Sequence, residues 1–221
     1  MESKLKKIIL SLVALVAAGI APNLFVIAEA GYAELSTLAV EFLIPSILLL
    51  AVIAAVSWVV KERQLTRQIG IGITAGLIGT LGLEIIRETG FRLGGMPGEL
   101  PELMGVLLLN RFADGPNLIS NLAGWSYHFW NGASFGMMYS IIVGKGRVWI
   151  GTVFGIIIGI TFMMSPVVVA LGVGTFGVDF GWGFPVTVTL AHIAFGTILG
   201  WFVFLKNEKG TSIFSTLKGL L

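Results

Sequence analysis

Long apolar runs separated by short charged segments form the dominant pattern along this chain. Six of the runs have about the 20 residues that an α-helix needs to cross a bilayer core of roughly 30 Å. They lie approximately at residues 8–28, 40–60, 68–88, 118–143, 147–172 and 185–205. The pattern predicts an all-α, polytopic membrane protein built as a bundle of six transmembrane helices.

The charged residues between the runs alternate in sign along the chain. Basic residues precede the first run and follow the second, fourth and sixth: Lys4, Lys6, Lys7, Lys61, Arg63, Arg67, Lys145, Arg147, Lys206 and Lys209. Acidic residues mark the intervening segments: Glu29, Glu34, Glu99, Glu102, Asp114 and Asp179. Because cytoplasmic loops are rich in Lys and Arg, we expect both termini on the cytoplasmic side of the cell membrane. We expect a single transmembrane domain over residues 1–210 and a cytoplasmic tail over 211–221.

One segment between the runs is long, residues 89–117 on the predicted outer side. Its apolar part, "PELMGVLLLNRF", is too short to span a bilayer and begins with Pro101, a residue suited to the first helical turn. We therefore expect a short helix that lies at the membrane surface or re-enters the membrane. Pro45 and Pro166 fall inside apolar runs, where they predict kinks.

The composition is typical of a membrane protein and excludes several kinds of functional site. Of the 221 residues 56% are hydrophobic and 12% are charged, against about 25% charged in soluble domains. The absence of cysteine excludes disulfides and thiolate metal ligands. The net charge of +2 comes from membrane-flanking Lys and Arg, so we expect no nucleic-acid partner. The expected partners are the lipid bilayer and other membrane subunits or further copies of the chain, and enzymatic activity stays an open question.

Both histidines of the chain lie inside apolar runs. His128 begins "HFWNGASFG" and His192 begins "HIAFGTILG", so both segments read H-x-x-x-G-x-x-x-G. The glycines four residues on, Gly132 and Gly196, share a helix face with their histidine. Both runs proceed from the predicted outer side inward. The two imidazoles are therefore expected at similar depth in the outer half of the bilayer.

Further polar and sulfur-containing residues fall near that depth. An ionisable group within a span is costly and usually faces the bundle interior or a wet cavity, which makes Glu84 a candidate site residue beside His128 and His192. Supporting residues are Arg87, Asn131, Gly132, Gly196, Met163 and Met164. The sequence predicts a shared polar site of the two histidines and Glu84.

This set of side chains suits a metal ion or a haem. Two imidazoles at one depth can ligate a metal or supply both axial ligands of haem b. With Glu84 the set suits iron or zinc, and with the methionines it favours copper. The leading expectation is binding of a metal ion or haem for electron transfer or metal handling.

Other interpretations of the same residues stay open. The glycines also fit small-residue faces that let helices pack closely, which admits a small ion more readily than a haem. The histidines would then only bridge helices, as in a structural or assembly subunit of a larger membrane complex. Glu84 and Arg87 are three residues apart and suit a structural ion pair. A third interpretation is a small ion- or proton-coupled transporter that uses Glu84 and the histidines.

The segments "GMP" at Gly95, "GWSYHFWNG" and "LAHIAFGTILG" resemble an uncharacterised family of small prokaryotic polytopic membrane proteins, a domain of unknown function. The resemblance covers about residues 94–204 and includes a GMP segment, a "GW-x-x-H" helix, a methionine-rich helix and a final "GH-x-x-x-G" helix. This chain has Ala191 where the pattern has the last glycine before histidine. The resemblance implies that the last three runs form a unit, and it assigns no function.

Overall fold

A computed structural model describes residues 2–218, and every secondary-structure element assigned within that range is a helix. The helices are α1 Glu2–Glu29, α2 Leu35–Val59, α3 Arg63–Arg92, α4 Leu100–Leu108, α5 Leu118–Ile142, α6 Val148–Met163, α7 Pro166–Ala170, α8 Gly183–Lys206 and α9 Ile213–Lys218. The all-α prediction is confirmed for the described part of the chain. Residues 219–221 of the expected tail lie outside it.

Four helices are long and apolar enough to cross a membrane: α1 from Leu5, α2, α3 and α8. Helix α5 has 25 residues, but its polar side chains keep it out of this group. Helix α6 is apolar but has only 16 residues, about 24 Å at 1.5 Å per residue. The structure therefore confirms a protein with several membrane-compatible helices.

The single span expected over residues 147–172, with a kink at Pro166, is divided into two helices in the structure. Helix α6 ends at Met163, and a separate short helix, α7, begins at Pro166. Proline lacks a backbone N–H and its ring clashes with the carbonyl four residues earlier, so it starts a helix more readily than it continues one. At Pro45 the chain stays helical, with a π-helical turn at Ala39–Leu43 just before it.

Two sets of polar contacts define the ends of the bundle. At one end, which we call the basic end, Gln68 on α3 donates to the carbonyl oxygens of Ser140 and Thr211 at 2.8 Å each. At the other, the acidic end, Arg87 donates to Glu99 at 2.7 Å, and Asn121 on α5 donates to Glu102 on α4 at 3.1 Å. Helices α3 and α5 therefore run antiparallel.

Glycines set the closest helix contacts. A Cβ atom at Gly72 on α3 would lie 2.5 Å from the Cα of Met137 on α5, and one at Gly136 would lie 2.9 Å from the Cα of Gly76. Helices α6 and α8 meet in the same way, since a Cβ at Gly155 would lie 2.9 Å from the Cα of Gly196. The glycines of both histidine motifs therefore serve as close-packing surfaces.

The long segment does contain the short helix that the sequence predicts. Helix α4 packs against α5 through Gly105 and Gly124, where a Cβ at Gly124 would lie 2.7 Å from the backbone nitrogen of Gly105. Its residues Pro101, Met104 and Val106 are buried. Helix α4 is thus part of the packed bundle at the acidic end.

Candidate functional site

A buried carboxylate and a histidine join α3 to α5. The Nε2 atom of His128 lies 2.8 Å from Oε1 of Glu84. The glycine contact explains the position of Glu84. Gly72, Gly76 and Glu84 are spaced at multiples of four along α3, so the carboxylate lies on the side of α3 that packs against α5. The same antiparallel register brings His128 opposite Glu84 towards the acidic end.

Arg87 holds this carboxylate from a second side. Its Nε atom donates to both oxygens of Glu84, at 3.0 and 2.8 Å. Glu84 is 8% exposed and Arg87 5%, so the two charges need each other inside the bundle. The expected pairing of Glu84 with Arg87 is present, and Glu84 also accepts a hydrogen bond from His128.

The network continues to Glu99, the residue that precedes α4. The Nη2 atom of Arg87 donates to Oε2 of Glu99 at 2.7 Å. Burial raises the pKa of the Glu99 carboxyl, against the lowering effect of the Arg87 guanidinium. Glu99 was not predicted as a site residue, because nothing in its local sequence distinguishes it from the other acidic residues of the long segment.

An apolar cavity of about 750 Å³ lies beside this network. Its walls come from α1, α3, α5, α6 and α8, together with residues of the short helices α4 and α7. The polar side chains of its inner wall include Thr80, Arg87, His128, Asn131, Ser165 and His192. A cavity of several hundred Å³ with apolar walls and a few polar groups is the usual form of a small-molecule site.

Three residues that line the cavity each have a buried polar atom without a hydrogen-bond partner among the described residues. The atoms are Nη1 of Arg87, Oδ1 of Asn131 and Oγ of Ser165. Asn131 is 9% exposed and Ser165 7%. An unpaired buried polar group costs about 1–3 kcal/mol. A molecule or water held in the cavity that these residues line would offer them hydrogen-bond partners. Ser165 was also missed, although the Pro166 that breaks the helix marks its position.

His192 reaches the same cavity from α8. Its Nδ1 atom donates to the carbonyl oxygen of Val188 at 2.8 Å, and the ring of Phe162 stacks on it with centroids 6.1 Å apart. On the α3–α8 contact, Gly79 lies against Phe195 and Gly90 against Thr187. This register sets Glu84, and with it His128, at the level of His192.

The hydrogen bonds define one tautomer for each neutral imidazole. His128 bonds a carboxylate through Nε2, so Nε2 carries the proton and Nδ1 keeps its lone pair. His192 bonds a carbonyl through Nδ1, so Nε2 keeps the lone pair. Both residues line the cavity. The two histidines therefore provide one free acceptor nitrogen each.

A three-ligand metal set is not assembled in this arrangement. Within residues 2–218, no group of three His, Asp or Glu side chains lies close enough to hold a metal ion. Both oxygens of Glu84 accept from Arg87. Met163 is buried in an apolar cluster with Phe184, whereas the exposed Met164 lines the cavity. Metal and haem binding stay predictions.

Comparisons of the chain with protein-family models, curated proteins and solved structures found no match.

Proposed function

We propose that the six long helices α1, α2, α3, α5, α6 and α8 form a multi-pass membrane bundle with both termini cytoplasmic. Four of them have the length and apolar character required. Helix α5 is more polar because some of its side chains face the bundle interior, among them His128, the partner of Glu84. The clustering of Lys and Arg at the basic end supports a cytoplasmic location for that end.

We propose that the protein binds a small, mainly apolar molecule in the cavity, with its polar head towards His128, Arg87 and Asn131. The observation that carries this proposal is an apolar cavity whose lining includes both histidines and three residues with an unpaired buried polar atom. The apolar wall favours burial of an apolar body by about 25 cal/mol per Å². The polar atoms favour a head that completes their hydrogen bonds.

Entry from the bilayer is consistent with the packing. Helices α1 and α6 both line the cavity, yet in the described chain they do not pack extensively against each other. On the α6 side, Ile157 and Thr161 are exposed and line the cavity. A membrane-dissolved molecule can therefore approach between these two helices.

The test uses two threonines that differ in their relation to the cavity. Thr161 is exposed, lines the cavity and donates to the carbonyl of Ile157 at 2.8 Å. Thr74 on α3 is also exposed and donates to the carbonyl of Gly70 at 3.0 Å, but it does not line the cavity. Thr161→Phe fills the cavity mouth, and Thr74→Phe is the matched control.

The measurement is mass spectrometry of solvent extracts from protein purified in mild detergent. We expect a molecule at near-stoichiometric amount with the wild type and Thr74→Phe, and its loss with Thr161→Phe. Equal amounts in all three preparations, or bulk membrane lipid alone, would contradict binding in the cavity.

A second candidate is haem b or a transition-metal ion at the two free histidine nitrogens. Ligand histidines usually donate their other ring nitrogen to a carboxylate or a carbonyl, and His128 and His192 do this. Visible spectra and metal analysis of the same preparations test this candidate. A Soret band or stoichiometric metal that is lost in His128→Ala and His192→Ala would support it, and their absence from chelator-free preparations would exclude it. The assembly-subunit and transporter interpretations stay predictions.

A further inference from the structure

We infer that the bound molecule carries a hydroxyl head that donates to His128, and that Glu84 sets this preference by fixing the tautomer of His128. This inference rests on the proposed cavity function and names the chemical class of its ligand. Glu84 is a positioning residue in this scheme, because it acts through the imidazole and does not line the cavity.

The first step is the state of Glu84. Arg87 donates to both carboxylate oxygens, and a guanidinium keeps its charge in proteins. An ionised carboxylate can only accept hydrogen bonds. His128 must therefore donate through Nε2, which leaves Nδ1 of the neutral ring as an acceptor.

The second step is the balance of donors and acceptors on the cavity wall. In their neutral forms His128 at Nδ1 and His192 at Nε2 can only accept, whereas Nη1 of Arg87 has two N–H groups and no partner among the described residues. The hydroxyl of Ser165 can play either role. A head that reaches either histidine nitrogen must donate a hydrogen bond, which a hydroxyl does and a carbonyl or ether does not.

The third step is charge. Arg87 already faces Glu84 and Glu99, so it has no surplus positive charge to offer a carboxylate or phosphate head. A hydroxyl satisfies the acceptors without adding a charge to the cavity, whereas a protonated amine would bring one into an apolar site. An uncharged hydroxyl is therefore the head that the wall favours.

The test compares three probes that share a decyl chain. Decylphenol carries a hydroxyl, its methyl ether keeps the shape but loses the donor, and decylamine carries a charged donor. Binding to the purified full chain is measured by competition with a fluorescent probe in detergent micelles. We expect the phenol to bind about tenfold more tightly than the ether, the effect of one unsatisfied buried acceptor.

Glu84→Gln gives the sharper outcome. Arg87 should hold the carbonyl oxygen of the introduced amide, so the NH₂ group of that amide donates to Nε2 of His128 and moves the ring proton to Nδ1. The cavity then meets a donor in place of an acceptor, and the phenol-to-ether preference should fall to one or below. Glu88→Gln is the matched control: Glu88 is four residues further along α3, pairs with the exposed Arg92 at 2.7 Å and lies 3.9 Å from Nη2 of Arg87. It does not bond His128, so its replacement should leave the preference unchanged.

The outcomes separate this inference from the proposed function. If phenol and ether bind the wild type equally, or decylamine binds most tightly, the hydroxyl head is wrong although the cavity still binds apolar molecules. If no probe binds and Thr161→Phe changes nothing, the proposed function itself fails. Full phenol preference in Glu84→Gln overturns the role of Glu84.

If the Glu84→Gln variant does not fold, the tautomer of His128 can still be measured in the wild type. The chain has only two histidines, so ¹⁵N-histidine labelling gives two pairs of ring signals that His192→Phe assigns. We expect a protonated Nε2 and a bare Nδ1 for His128. A neutral His128 protonated at Nδ1, or a doubly protonated ring, would overturn the inference.

Discussion

Replacing Gly72 by alanine should destabilise the protein, because the added methyl group forces α3 and α5 apart. The added Cβ would lie 2.5 Å from the Cα of Met137 and 2.7 Å from the carbonyl oxygen of Gly136. Ordinary contacts of a Cβ begin at 3.4 Å. The neighbouring atoms are backbone, so they cannot rotate away as the end of a side chain can.

The magnitude follows from two opposing effects. The helices must separate by roughly 1 Å, and overpacking of this kind costs about 1–3 kcal/mol. Alanine favours a helix over glycine by about 1 kcal/mol, which offsets part of that cost. We therefore expect a net loss of about 1–2 kcal/mol from the free energy of unfolding.

Gly70→Ala is the control, two residues away in the same helix. A Cβ at Gly70 meets no atom within 4 Å, so only the helix preference acts there. Unfolding of both variants by sodium dodecyl sulfate in mixed micelles, followed by tryptophan fluorescence, gives the two free energies. We expect Gly72→Ala to be less stable than the wild type and Gly70→Ala to be equal or slightly more stable. Equal stability of the two variants would refute the close contact of α3 with α5.

Two further substitutions test the polar contacts at the two ends of the bundle. Arg87→Gln leaves Glu84 and Glu99 without their counter-charge, and we expect a loss of about 3–5 kcal/mol in the same unfolding assay; a loss under about 1 kcal/mol would contradict the buried network. Gln68→Ala removes two hydrogen bonds to backbone carbonyls of α5 and the C-terminal segment. It should cost about 1–3 kcal/mol and speed proteolysis after α8, whereas Gln64→Ala, where the amide nitrogen has no partner, should not.

The sequence predicts the helical class because apolar runs of this length have few other stable forms in a membrane. It does not predict the break between α6 and α7. Pro166 permits either a kinked continuous helix or a new start, and the surrounding packing decides between them. Helix α5 was predicted from its length, which fits a membrane span. Its polar residues are explained only by its contacts with α3 and α4.

The site shows the same division. Helical spacing places Glu84 near Arg87 and each histidine on a face with glycines, because these relations lie within one helix. The bond between Glu84 and His128 depends on the register of α3 against α5, which the glycines set only once the two helices are known to be neighbours. Glu99 and the α1 wall of the cavity depend on tertiary contacts with no local signal in the sequence.

The most direct test of the central claim is a crystal structure grown from a lipid mesophase without added ligand. We expect density for a non-protein molecule inside the cavity, with a polar atom within about 3 Å of Nδ1 of His128 and an apolar body towards α1 and α6. A cavity closed by its own side chains, or one filled only by ordered water that pairs with Arg87, Asn131 and Ser165, would contradict the account.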